Sequence, residues 1–98
     1  MADYILLMHG DGAAETASAD WERYLTGLQT AGAMRGGSAI GGGVSVRKSG
    51  EPAPFAADIV GYIRIVADDL DAARKLLAGN PVYESGGTVE IRELPVTS

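Results

Sequence analysis

Apolar residues along this chain fall in short blocks punctuated by glycine, and the blocks alternate between two periods. Tyr4-Ile5-Leu6-Leu7-Met8-His9 is a continuous apolar run closed by Gly10-Asp11-Gly12, the length and punctuation of a buried strand. Residues 11–15 read as a loop. Trp21, Leu25 and Leu28 then fall at i, i+4 and i+7 with Tyr24 on the same face, which predicts an amphipathic helix. Thr16 or Ser18 is placed to cap its start, Asp20 and Glu22 lie in its first turn, and Gly32 is placed to stop it.

Residues 34–49 are rich in glycine. Val44-Ser45-Val46-Arg47 alternates with period two and predicts a strand. Ser38-Ala39-Ile40 is its expected hairpin partner, with Gly41-Gly42-Gly43 as the turn. Pro52 and Pro54 make residues 49–54 a loop, because proline cannot donate to a ladder. Residues 59–66, Ile-Val-Gly-Tyr-Ile-Arg-Ile-Val, form the strongest strand pattern. Asp68 or Asp69 then caps a second helix with Leu70, Ala73, Leu76 and Leu77 as its apolar stripe, and Gly79-Asn80-Pro81 ends it. A last strand is expected over 88–94.

This order predicts an α+β, ferredoxin-like domain over residues 1–98: a split βαβ with an antiparallel sheet and two helices on one face. Alternation puts Ile63, Ile65, Val89 and Ile91 on the helix side. The opposite face then carries Val60, Tyr62, Arg64, Val66, Glu90 and Arg92. A face that mixes apolar and charged groups suits packing against a second sheet, so a homodimer through that open face is expected.

The 98 residues suffice for one core. Net charge is −5 and the eight Lys and Arg form no stripe, so nucleic acid is not an expected partner. There is no cysteine, which removes thiol chemistry and Cys-based zinc sites. The start has neither a basic segment nor a small-residue cleavage site, and no run is long enough to span a bilayer, so a cytoplasmic protein with no membrane partner is expected.

Several segments together resemble the YCII-related, DGPF-type family. They are Tyr4-Ile5-Leu6-Leu7-Met8-His9-Gly10-Asp11, Ala31-Gly32 with Arg35-Gly36-Gly37, Pro54-Phe55-Ala56, Gly61-Tyr62, the passage from Val66 to Ala73, and Gly86-Gly87 through Arg92. Their order and spacing cover nearly the whole chain. The sequence departs from the family pattern where Pro52-Ala53 stand for the signature Asp-Gly, where His9 stands for a tyrosine, and where the first helix offers Tyr24 and no histidine. The family's proposed helix site is therefore not carried over. The resemblance implies a dimeric α/β barrel, paired sheet to sheet, with small-molecule chemistry in the cleft.

His9 is the only histidine, the side chain type that ordinarily titrates near neutrality. Asp11, two residues on, is placed to orient its ring if the turn curls back, giving catalytic candidates His9 and Asp11. Tyr62, Arg64 and Arg92 are the substrate-binding candidates, with an arginine fork suited to a carboxylate. Glu90 and Arg92 equally suit an ion pair on a sheet face. The glycine triplet lacks the Gly-Lys-Ser/Thr ending of a phosphate loop. Asp68, Asp69 and Asp71 sit at a helix start, where capping accounts for them without a metal. Two functions stay open: a small cofactor-free enzyme using acid–base chemistry on a small anionic molecule in the dimer cleft, or a non-catalytic ligand-binding or interaction domain. A monooxygenase on the same architecture is a third, by analogy of fold alone.

Overall fold

Seven elements follow one another in a computed structural model that describes residues 1–12 and 16–95: β1 (Ala2–His9), α1 (Ser18–Thr30), β2 (Met34–Ala39), β3 (Ile59–Ala67), α2 (Leu70–Lys75), α3 (Pro81–Glu84) and β4 (Val89–Leu94). Of the loop expected over 11–15, residues 13–15 lie outside the described residues. The four strands form one antiparallel sheet in the order β2-β3-β1-β4. The split βαβ order is compatible with the ferredoxin-like expectation. No helix among the described residues is long and apolar enough to cross a membrane.

Strand alternation builds the core. Tyr4, Leu6 and Met8 of β1 and Ile63 and Ile65 of β3 are buried against Tyr24 and Leu28 of α1, Ala73 of α2 and Val82 of α3. Leu6 sits between Ile63 and Ile91 in the cross-strand register, and Leu6 and Ile65 are fully buried. Val89 and Ile91 pack on the same cluster, as the alternation predicts.

Helix starts differ from expectation in informative ways. Ala17 occupies the N-cap of α1 without a side-chain bond. The Thr16 hydroxyl accepts a hydrogen bond from Trp21 Nε1 at 2.8 Å, so it is taken by the indole instead of the helix end. Gly32, at φ +73°, closes α1 as expected, with Ala33 N–H donating to Leu28 O. Asp69 is the cap of α2, accepting from Ala72 N–H at 2.8 Å. Leu70, expected in the apolar stripe, is half exposed, whereas Ala73 and Leu77 are buried.

Two expectations fail outright. The second helix, expected to run to Gly79-Asn80-Pro81, stops at Lys75, and Asn80-Pro81 begins a third helix. Asn80 Oδ1 accepts from Tyr83 N–H, Pro81 takes the first helical position, and Glu84 reaches back to Gly79 N–H. The hairpin over 38–47 does not form. Residues 34–39 pair with β3 instead, Gly37 opposite Ile63 and Ser38 opposite Tyr62. Residues 41–47 belong to no strand, and no backbone–backbone hydrogen bond joins residues 41–54 to one another or to any other described residue. Pairing with β3 places the Gly37 backbone where a Cβ would stand 2.6 Å from Tyr62 O. That close approach accounts for a glycine in a strand.

Candidate functional site

Cross-strand partners share a face, so the register defines the surface opposite the helices. Leu7 lies between Tyr62 and Glu90, Ile5 between Arg64 and Arg92, and Asp3 between Val66 and Leu94. His9 is one alternation beyond Leu7 on this face. β3 and β4 are not neighbours: β1 separates them. Arg64 and Arg92 therefore stand about 10 Å apart at their Cα atoms, two strand spacings, with Ile5 between.

The structure joins His9 to Glu90. His9 Nε2 and Glu90 Oε1 are 3.2 Å apart, with the histidine side chain 23% exposed. Arg92 Nη1 donates to the other oxygen, Glu90 Oε2, at 3.1 Å. Glu90 and Arg92 are two residues apart on one strand, so their pair runs along β4 and not across strands. Hydrogen bonds from Arg92 and then from His9 hold the Glu90 carboxyl below its usual range. An ionised carboxylate only accepts, so the proton of a neutral His9 ring lies on Nε2 and Nδ1 carries the free lone pair.

Asp11 does not orient His9. Its Oδ1 accepts from Thr88 N–H and its Oδ2 from Thr88 Oγ1–H, each at 2.7 Å. These bonds, the backbone one first, lower its carboxyl pKa. His9 N–H donates to Thr88 O at 2.9 Å beside them. Together they pin the start of β4 against the end of β1, which places Glu90, two residues on, opposite the imidazole. Asp11 positions the pair through the backbone. Gly87 permits this: a Cβ there would stand 2.8 Å from Val82 Cγ1 and 3.3 Å from Asp11 Oδ1.

Tyr62 is half-buried and Arg64 exposed on the same face. No hydrogen bond to a described residue engages the Arg64 guanidinium, which leaves its fork free for an anion. Sequence reasoning placed Glu90 beside Arg92 but missed its contact with His9. The missing signal was the β1–β4 register, and the paired apolar alternation of the two strands is the only trace of it in the sequence.

The face is a sheet surface, and two concavities lie away from His9. A groove of about 700 Å³ runs between α1 and the segment around α3, lined by Tyr24, Leu76, Pro81 and Glu84. A cavity of about 380 Å³ lies under Trp21 and Leu25 of α1, floored by Gly37, Ala39 and Gly61. Neither is lined by His9, Glu90 or Arg64, and of the site candidates Tyr62 alone lines the second. The chain matches no protein-family model, and no curated protein is similar enough to count as a relative.

Proposed function

We propose that this chain is a small, cofactor-free enzyme acting by acid–base chemistry on a small anionic molecule, held between the open sheet faces of two copies. The contact between His9 and Glu90 carries this reading. It fixes the ring, leaves Nδ1 as the base, and sets a carboxylate against the imidazolium that forms when Nδ1 takes a proton. Arg64 supplies the anion fork on the same face, and Tyr62 borders it. A second copy over this face supplies the enclosure that one sheet lacks, in keeping with the resemblance to YCII-related proteins and their paired sheets. The barrel is thus part of the proposal.

One observation favours a second reading, in which the face serves only assembly or ligand binding: the two cavities described above lie away from His9. Small carboxylic acids and phosphate monoesters, presented as a panel, separate the two. Binding is read as a rise in melting temperature and turnover by NMR of the added compound. The enzyme reading expects Arg64→Gln to lose binding and His9→Ala to keep it, with turnover reduced roughly 10²–10⁴-fold. Glu90→Gln falls between. Turnover unchanged in His9→Ala overturns the assignment, and binding without turnover in the wild-type chain favours the second reading.

A further inference from the structure

Between β2 and β3 the chain leaves the body as an arm. Its base is held by Ile40 N–H donating to Val60 O and Gly10 N–H donating to Asp58 O. Gly43 lies against the Phe55 ring, and Arg47 Nη1 donates to Glu51 O near the tip. Beyond these contacts the arm is bare. Val44 and Val46 are 78% and 83% exposed, Phe55 is half exposed, and no backbone–backbone hydrogen bond joins residues 41–54 to one another or to any other described residue. The Val-Ser-Val-Arg alternation of a strand is present, but no described residue pairs with it.

The dimensions carry the same message. The surface is 6678 Å², whereas a compact monomer of 10.1 kDa exposes about 5,300 Å², an excess of about 1,400 Å². The radius of gyration is 14.7 Å, against about 12.6 Å for a compact chain of this length. A standard stable interface takes about 800 Å² from each partner, so the excess exceeds one partner's share. Charge identifies the occupant. The arm, residues 41–54, carries +1, from Arg47 and Lys48 against Glu51, which leaves −6 on the remainder of a chain of net charge −5. The basic tip is complementary to the acidic body of another copy.

We propose that residues 41–54 are an exchange arm that packs on a second copy of this chain, with Val44–Arg47 pairing its free backbone with the partner's and burying Val44 and Val46. The proposed function supplies only the existence of the pair; the arm contact is separate from the sheet-face contact.

The test is the native mass by light scattering, with amide hydrogen exchange over 41–54. Wild type is expected at twice the 10.1 kDa chain mass, with the amides of residues 44–47 protected. Val44→Asp with Val46→Asp is expected to halve the mass and expose those amides. Both sites are solvent-exposed in the single chain, so circular dichroism is expected to stay unchanged. A dimer that survives the double substitution, or that leaves 44–47 unprotected, overturns the arm. If Arg64→Glu then dissociates that dimer, the sheet-face reading stands without it. A wild-type particle of one chain mass overturns both contacts.

Discussion

At the residue scale the site depends on two carboxylates whose pKa values are lowered by hydrogen bonds made in the fold. Asp11 receives both donors of Thr88, and Glu90 receives Arg92 and His9. A carboxyl whose folded pKa lies below its unfolded value stabilises the fold fully above the unfolded value. That stability is lost as pH falls through the folded value. The window therefore opens near pH 4, the ordinary carboxylate range, and extends below it. Urea denaturation followed from pH 7 to pH 3 is expected to show the wild-type midpoint falling across this window, with a shallower fall in Asp11→Asn. An Asp11→Asn curve parallel to wild type would remove Asp11 from this role. The same substitution weakens the clamp on Thr88, so it also loosens Glu90 from His9 without touching either.

At the element scale β2 shows how far local pattern reaches. The apolar blocks of β1, α1 and β3 were legible because each alternates or repeats on its own. The face bearing Ile63 and Ile65 followed from that alternation alone. β2 was legible only at Ser38-Ala39, its end, because Met34-Arg35-Gly36-Gly37 before it has almost no apolar pattern. Its pairing is set by how closely its backbone approaches β3. The Val44–Arg47 alternation was stronger and drew the strand assignment to a segment with no partner among the described residues. Asn80-Pro81 was read as a stop, since proline ends a helix, yet the same pair caps and opens the next one. The contact of His9 with Glu90 lay beyond reach for a related reason: 81 positions separate the two, and only the sheet register joins them. The glycines test this account. Gly37→Ala places a Cβ against Tyr62 O and is expected to cost about 1–3 kcal/mol by overpacking. Gly42→Ala, with open space around its Cα, is expected to be neutral or to stabilise by up to about 1 kcal/mol through the unfolded state. Equal effects at the two positions, measured by urea denaturation, would contradict the close approach of β2 to β3.

The whole molecule is thin. Its extents are 46 × 40 × 19 Å, the depth of one sheet with one layer of helices. Helices bury one face of the sheet, and on the other Val60 is 44% exposed while Ile5, Leu7, Val66 and Leu94 are half-buried. Charged groups interrupt these apolar positions in a fixed order, Arg64–Ile5–Arg92 across one row and Tyr62–Leu7–Glu90 across the next. A second copy laid over them buries the aliphatic rows, and the proposed function needs that cover to exclude water from His9. Folding and pairing are then linked, because an unfolded chain cannot present the face. Stability measured on the pair must rise with protein concentration, by about 1.4 kcal/mol per pair for each tenfold increase. The melting temperature is expected to climb steadily across a hundredfold concentration series in wild type. In Arg64→Glu, which sets an acidic group in the covered face of an already acidic chain, it is expected to be lower and independent of concentration. A wild-type melting temperature that stays constant across the series means that one chain is the folding unit. The open face then has no second sheet to close it, and His9 would have to work at an uncovered surface, where water competes for every hydrogen bond that the proposed chemistry requires.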